Sequence, residues 1–463
     1  MKTLFEPYRS RVVEPIRMTT RAEREGFIRA AGYNPFLLEA EHVLIDLVTD
    51  SGTSALSARQ VSAMAGSDES FTGSRSFARF RDAARALFGH RHVIPCHQGR
   101  AGEHLLAAAA LRPDDMVLAN TLFATTRENF EEAGATCVDL PVPQALDARD
   151  PYPFKGDIDL GALEARLAGA DTPVRLVVLT VTDNTRGGHP VALANVRAAS
   201  TLCRRHGVPL WLDAARFAEN CALVALREPA CTGRSPRDVA RELFSLVDGV
   251  FMSMKKDGLG NVGGLLTLDD DTWAEAIRLR LLVSEGIPSA GGLAGRDLEC
   301  MAVALDEMLD EDYLAHRLAA TRRLGESLSA AGVPVLVPFG AHAVYVDGRA
   351  FCPHLADEQL PAWSVSVALY VHAGVRAWET GNVMGGRRNP ATGAWHWPDL
   401  DLLRLAVPRR VYSQNHLDYA AEALAELHGR RGEIHGLRFV YRPPALPQFT
   451  ARFEPVETPA AHG

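Results

Sequence analysis

Apolar positions recur at helical spacing through residues 75–88, RSFARFRDAARALF, which predicts an amphipathic helix. Directly after it, HVIP (92–95) is a short apolar run, followed by a polar, glycine-bearing stretch at 96–103 and a second helical run, HLLAAAALR (104–112). The alternation continues with MVLA (116–119), CVDL (137–140), LVVLTV (176–181), PLWL (209–212) and GVFM (249–252), separated by helical segments such as NVRAASTLCRRHG (195–207). Short runs that are apolar on both faces suit strands covered by helices on each side, so an α/β layer with a mostly parallel sheet is expected. After about residue 305 the pattern changes. A long helix over 305–332 leads into extended runs VPVLVP (333–338) and HAVYVD (342–347), then WSVSVALYVHAG (363–374), LDLLRLAVP (400–408) and a last helix near 419–429. A large central domain over 56–309 is expected, with a smaller α+β domain built from 1–55 and 310–463. There is no internal repeat, and the tail VETPAAHG (456–463) is expected to fray.

Composition narrows the function classes. The 463 residues are 47% hydrophobic and 23% charged, with 49 Lys+Arg against 57 Asp+Glu. That is globular composition with enough apolar material for a buried core. The net charge of −8 gives no basic field for nucleic acid or an anionic membrane. No apolar stretch approaches the ~18 residues of a membrane helix. The opening MKTLFEPYRSRVVEP alternates charge and proline where a secretory leader would be apolar. The 7 cysteines are scattered and never form a CxxC pair, which reads as reduced thiols in a cytoplasmic protein.

Three short motifs suggest chemistry that their context does not support. Gly258-x-Gly260-x-x-Gly263 has dinucleotide-fingerprint spacing, yet it runs into a strand-like GGLLTLDD instead of opening a helix. It reads as chance or a tight inter-strand turn. Ser253-x-x-Lys256 has the spacing of acylating serine enzymes but lacks their companion elements. His90, His92 and His97 have neither paired cysteines nor an HExxH element to make a zinc site.

A more coherent set lies just after successive apolar runs, where open α/β sheets gather ligand sites. Gln98-Gly99-Arg100 follows HVIP and precedes a helix. Such a turn offers free N–H groups and a guanidinium to a phosphate, although a capped helix start has the same appearance. Asn184 follows LVVLTV, and Asp213 ends PLWLD with Arg216 three residues on. A strand-end aspartate needs a positive partner, such as a pyridinium nitrogen, or else serves as a helix N-cap. Lys255 and Lys256 follow GVFMS; a lysine amine beside an aldehyde forms a Schiff base, and a second cation lowers its pKa. Phosphate cradle, asparagine, aspartate and lysine in that order specify pyridoxal phosphate, an electron sink for a carbanion at Cα of an amino acid. Arg404 in LLRLAVPRR suits a bidentate clamp on a substrate carboxylate.

With these residues in place, the sequence resembles the aromatic amino-acid β-eliminating lyases, tyrosine phenol-lyase and tryptophanase, of the aspartate aminotransferase superfamily. The likeness runs from EPYRSRVVEPI to FTARFE, through AGYNPFLL, DLVTDSGT, PCHQGRAGEHLL, TTR (125–127), GGHPVALAN, DAARFAEN, MSMKKDGLGNVGG, EGIPSAGGLAGRD and LRLAVPRRVY. GLAGRD and PRRVY lean toward the tyrosine phenol-lyase branch. The resemblance implies a fold type I enzyme with a mostly parallel seven-stranded sheet. It makes Lys256 the Schiff-base lysine and α-proton base, Asp213 the partner of the pyridine nitrogen, and Asn184, joined by Arg216, that of the ring 3-oxygen. Gln98, Gly99, Arg100 and Ser253 would hold the phosphate, Lys255 would tune the site and Phe123 would stack on the ring. Thr49, Ser51, Asn184 and Arg404 would bind substrate. It also implies a homotetramer with shared active sites. A potassium-type cation between subunits would be held by the Glu69 carboxylate and the carbonyls of Gly52 and Asn261.

The leaving-group side departs from the family. Phe71 stands in place of a tyrosine that acts as general acid, Ala124 in place of a threonine and Thr380 in place of an arginine that hold the phenol oxygen. Tryptophanases have an aspartate and an isoleucine at these last two places. Ala290 replaces a tyrosine, while Trp378 and Gln448 replace other pocket side chains. A β-eliminating lyase acting on a different β-substituted amino acid is therefore expected. Ordinary tyrosine or tryptophan cleavage, β-replacement and transamination share the same cofactor shell.

Overall fold

A computed structural model describes residues 6–169, 172–389 and 392–456. Beyond Val456, the tail expected to fray lies outside the described residues. Seven strands form the main sheet: β1 His92–Cys96, β2 Met116–Ala119, β3 Thr136–Asp139, β4 Val174–Thr180, β5 Leu210–Asp213, β6 Gly249–Ser253 and β7 Gly264–Leu268. Their order is β1-β7-β6-β5-β4-β2-β3, parallel except that β7 is antiparallel to both neighbours. Strands β5, β6 and β7 are buried along their whole length, which is why the sequence shows continuous apolar runs there. Reversal at β7 matters for function. The chain leaves β6, turns through 254–263 and re-enters the sheet from the same end, so this connection stays at the carboxyl ends of the parallel strands.

Helices cover both faces. The predicted helix 75–88 is α1 Arg75–Phe88; the Ser74 side chain accepts from the Phe77 N–H at its start, and Gly89 at φ 79° ends it. Its Phe80, Ala84, Leu87 and Phe88 enter one core, while α2 Gly99–Ala110 packs the other side of the sheet through Leu105 and Leu106. Three other helices matter below: α3 Ala124–Glu132, α4 Phe217–Arg227 and α5 Gly295–Glu307.

The carboxyl-terminal part differs from the sequence reading in three places. The helix expected over 305–332 is two helices, α5 and α6 Glu311–Ala330, because Asp310 accepts from the Tyr313 N–H and starts a new one. VPVLVP forms only the isolated bridge Val335–Val346. WSVSVALYVHAG is the helix α7 Pro361–Ala373, opened by Pro361 and closed by Gly374 at φ 68°. Trp363, Val365, Leu369 and Tyr370 are all buried, so its apolar run reflects burial on every side. HAVYVD and LDLLRLAVP become β8 Ala343–Asp347 and β10 Leu402–Ala406, in a three-stranded antiparallel sheet ordered β9-β10-β8 with β9 Trp378–Thr380. A second core gathers Leu324, Leu328, Val344, Val365, Leu403 and Leu424. The amino-terminal segment joins it by pairing Ile45–Asp46 in parallel with Val375–Arg376.

A buried ionic network stitches these parts together below the sheet's carboxyl edge. Arg409 Nη1 donates to Asp50 Oδ2 at 2.9 Å, and its Nη2 donates to Glu219 and Asp257 at 2.8 Å each. Arg216 holds both oxygens of Asp50 at 2.9 and 2.7 Å, and Arg317 holds Glu219 at 2.9 Å. All seven cysteines are free. No helix among the described residues is long and apolar enough to cross a membrane.

Candidate active site

A cleft of about 260 Å³ opens at the carboxyl ends of the parallel strands. Register brings Thr180, Asp213 and Phe251 side by side on β4, β5 and β6. All three line the cleft. Lys256 reaches it from the connection after β6. Burial lowers the Lys256 pKa to about 8, helped by Arg216 and opposed by Asp50, Asp213 and Glu103. An amine so placed is partly unprotonated near neutrality, as a nucleophile toward a carbonyl requires.

The anion cradle is built by close backbone approach. Helix α2 starts at Gly99 with no side-chain cap from Gln98, which leaves its first N–H groups for a ligand. A Cβ on Gly99 would lie 2.5 Å from the Ser253 Cβ, so glycine lets this helix end meet the end of β6. Arg100, Ser253 and Lys255 line the same end. Lys255 is itself crowded: Gly52, at φ 76°, approaches so closely that a Cβ would lie 2.5 Å from the Lys255 Cε. Burial, then Arg100, lowers the Lys255 pKa.

Among the described residues the Asp213 carboxylate accepts one hydrogen bond, from the Ala215 N–H at 3.1 Å. Burial raises its pKa against that bond, Lys256 and Arg216. A cationic ring nitrogen would supply the missing counter-charge. Asn184 Oδ1 accepts from Arg404 Nη1 at 2.8 Å and faces His342 Nε2 at 2.8 Å, while Tyr345 Oη donates to the Asn184 carbonyl at 2.7 Å. Since Arg404 only donates, the oxygen must face it, and the Asn184 amide N–H groups remain for a ligand. Arg404 is buried, lies 4.3 Å over the Trp378 ring and donates to the Val48 carbonyl at 2.9 Å. The chemistry fits pyridoxal phosphate: a cradle for phosphate, an acid for the ring nitrogen, an amide for a phenolic oxygen and an amine for the aldehyde.

Of the residues singled out from sequence, the cleft brings together Thr49, Ser51, Gln98, Gly99, Arg100, Phe123, Asn184, Asp213, Arg216, Ser253, Lys255, Lys256, Trp378 and Arg404. Others stand apart from it in this single chain. Phe71 is 82% exposed, and Ala124 begins α3 just after cleft-lining Phe123. Thr380 and Gln448 are buried behind the wall with their side-chain polar atoms unpartnered. Gly52 and Asn261 are neighbours, with Asn261 Nδ2 donating to the Gly52 carbonyl at 3.1 Å, whereas Glu69 accepts from the Gly295 N–H at 3.0 Å. The glycines 258, 260 and 263 form the inter-strand turn that carries Lys256. His90 bonds Thr267 Oγ1 at 2.8 Å, His92 contacts Asp271, and His97 contacts Glu285. No group of three metal-ligating side chains exists among the described residues.

Sequence reasoning missed Phe36, Phe449, Glu103 and Asp50. The first three line the cleft. Burial, then Asp213, raises the Glu103 pKa to about 7. Phe36 and Phe449 sit in motifs already noted, but an apolar side chain gives no local sign of facing a cavity. Asp50, between Thr49 and Ser51, shows its role only through its bonds to Arg216 and Arg409.

Fold and site together define an α/β enzyme that sets a lysine of lowered pKa near a strand-end acid. Residues 46–423 match the family described as Beta-eliminating lyase, and the chain belongs to that family. It is 50% identical over 462 residues to a tryptophanase of Salinibacter ruber, covering 100% of this chain and 98% of that protein. It is 47% identical over 454 residues to a tyrosine phenol-lyase of Symbiobacterium thermophilum, covering 97% and 98%. Among solved structures, Sphingomonas wittichii serine palmitoyltransferase superposes with a TM-score of 0.60 at 18% identity, over 89% of this chain and 97% of that one. That likeness concerns the fold, which is fold type I of the pyridoxal-phosphate enzymes.

Proposed function

We propose that this protein is a pyridoxal-phosphate β-eliminating lyase releasing pyruvate, ammonia and a heteroatom leaving group from a β-substituted L-amino acid. Its substrate is other than tyrosine or tryptophan. The observation that carries the reading is Lys256 held at a pKa of about 8 by burial, beside Asp213 and the Gly99 cradle. When bound, the cofactor supplies an electron sink for negative charge at Cα. Residues 56–309 would form its domain, with 1–55 and 310–463 as the smaller unit. Lys256 would bind it and remove the Cα proton, a role suited to a base that titrates near working pH. Asp213 would pair with the ring nitrogen, and Asn184, with Arg216, would donate to the 3-oxygen. Gln98, Gly99, Arg100 and Ser253 would hold the phosphate, Lys255 would lower the local pKa and Phe123 would cover the ring. Thr49, Ser51 and Arg404 would orient the substrate carboxylate, with Trp378 on the side-chain wall and Gln448 buried behind it.

The leaving-group side supports a departure from aromatic substrates. Expelling phenol or indole requires an acid to protonate ring carbon. Phe71 has no proton to give, Ala124 and Thr380 lack the phenol-binding groups, and Ala290 vacates space. A thiolate or halide leaves without that help. Pyruvate release from S-ethyl-L-cysteine is accordingly expected to exceed that from L-tyrosine or L-tryptophan by at least about 10²-fold, the rate factor of a lost general acid. Installing Phe71→Tyr, Ala124→Thr and Thr380→Arg together should raise tyrosine cleavage. Comparable wild-type turnover of tyrosine and S-ethylcysteine would assign the chain to ordinary phenol-lyase chemistry instead.

Lysine titration gives a pH dependence. Only the free amine attacks an aldehyde, so uptake of pyridoxal phosphate by apoprotein should speed up about tenfold per pH unit below 8 and level off above it. Stopped-flow absorbance across this range would expose an error in the placement of Lys256 if the midpoint fell near 10.

We also infer a cytoplasmic homotetramer with a potassium-type cation at Glu69, Gly52 and Asn261. Exposed Glu69 and Phe71, together with the adjacent Gly52 and Asn261 backbones, support assembly of this site between chains. Exchange of potassium for sodium, or Glu69→Gln, is expected to weaken cofactor affinity in equilibrium titrations. Equal affinity in both salts removes the cation from the model of assembly.

A further inference from the structure

Behind the side-chain wall lie two carboxyl groups that the chemistry above does not use. Glu379 falls between Trp378 and Thr380 on β9, so its side chain leaves the opposite face of the strand. It is 1% exposed, as is Asp401 just before β10. Both bind backbone donors instead of cations. Glu379 Oε1 accepts from the Val383 N–H at 2.8 Å and Oε2 from the Met384 N–H at 3.3 Å. Asp401 Oδ1 accepts from the Asn382 N–H and Oδ2 from the Ala362 N–H, each at 2.9 Å. One pair of acids thus ties β9 to the turn at 382–385 and to the start of α7. The two carboxyls are neighbours, because Asp401 Oδ1 and Glu379 Oε1 flank the same point beside Gly381. Gly381 passes directly over them; a Cβ there would lie 2.3 Å from Asp401 Oδ1 and 2.9 Å from Glu379 Oε1.

A nearby cation, Arg349, pulls the Asp401 pKa down against burial, but its hydrogen bonds go to other groups. Arg349 donates to Asp357, to the carbonyls of Asp399 and Pro398 and to Asn382 Oδ1. Asp357 accepts from Asn382 Nδ2 at 3.0 Å, and Asp347 accepts from the Ala350 N–H at 3.0 Å. Arg404 occupies the other face of β10, opposite Trp378. Burial, and then Asp401, raises the Glu379 pKa well above the usual carboxylate range, and burial raises that of Asp401. Adjacent buried carboxylates with no cation bonded to either do not both ionise. Asp401 uses both oxygens in short bonds from N–H donors, while Glu379 Oε2 has the long one. The proton therefore belongs on Glu379.

We propose that Glu379 and Asp401 share one proton, carried on Glu379, and that this pair is a positioning unit fixing the strand that bears Trp378 against the substrate side of the cleft. The substrate arm of the test rests on the lyase reading above. The sign follows from proton linkage. Glu379 holds its proton more tightly folded than unfolded, so the folded state loses stability as pH rises toward the raised folded value. The wall should loosen only as pH nears that folded value, where Glu379 ionises in the folded enzyme.

Wild type, Glu379→Gln and Asp401→Asn holoenzymes are compared for KM and kcat toward S-ethyl-L-cysteine, and for urea midpoint, between about pH 6 and 9.5. Glutamine places an N–H where the shared proton sits. KM at neutral pH should stay within about twofold of wild type, and the alkaline rise in KM and fall in midpoint should vanish. Asparagine sets an NH₂ against the Asn382 or Ala362 N–H, so Asp401→Asn should raise KM at least about tenfold, as loss of one buried bond predicts, with a smaller effect on kcat. Equal damage from the two variants, or an alkaline limb that survives in Glu379→Gln, overturns the shared proton. If no protein cleaves S-ethylcysteine, the lyase substrate fails, and the urea midpoints against pH still decide the pair.

Discussion

Lys256→Ala is expected to lower turnover by at least about 10³-fold while the protein stays folded. The amine sits on the connection between β6 and β7, at a position where the backbone already turns. Truncation there removes no core packing and relieves a buried charge. The variant should match wild type by circular dichroism. Lys255 cannot take over, because its side chain is pressed against Gly52 and its charge belongs to the cradle with Arg100. Borohydride reduction of holoprotein followed by peptide mapping should place the cofactor on Lys256 in wild type and on no lysine in the variant. Label on Lys255, or activity within tenfold of wild type, would remove Lys256 from the centre of the chemistry.

Arg409→Leu should cost about 3–5 kcal/mol of stability, the range for breaking a buried ion pair by removing one partner. Its guanidinium answers Asp50, Glu219 and Asp257 at once. Asp50 keeps Arg216 and Glu219 keeps Arg317, but Asp257 loses its ion-pair partner. Burial and Glu219 already lift the Asp257 pKa to about 7, so it should take up a proton and place the loss toward the lower end of the range. Asp257 also accepts from the Ala218 and Glu219 N–H groups at the start of α4 and adjoins Lys256, so cofactor affinity should fall with stability. Urea unfolding of holo- and apoprotein measures both. Arg409→Lys, which keeps the charge but not the fork, should lie in between. A loss below about 1 kcal/mol would mean that water or rearranged partners compensate the network.

Much of the cofactor end of the site is local in the sequence. A strand that ends at a buried sheet edge must hand over to polar residues. Each of the short runs before Gln98, Asn184, Asp213 and Ser253 is therefore followed at once by chemistry. Burial on both faces makes these runs continuous, and the helix before the first of them is capped by its own neighbours, Ser74 and Gly89. The same signal misleads where burial comes from tertiary packing around a helix. WSVSVALYVHAG carries β-branched residues and no polar face, so periodicity cannot separate a buried strand from a buried helix. Only its enclosure between Pro361 and Gly374 by the second core settles the matter. The break at Asp310 turns on one side chain capping a new helix in an otherwise continuous pattern.

The sequence by itself determined the alternation of strands and helices over 75–253 and the placing of Gln98–Arg100, Asp213 and Lys256 just after those strands, because each depends on neighbours a few residues away. Tertiary structure decided which distant segments meet. It brought Asp50 to Arg216 and Arg409, set Phe36 and Phe449 at the cleft, and laid Glu379 on Asp401 behind Trp378. These contacts join residues far apart in the chain, and their energetics come from burial and countercharge that no local pattern records.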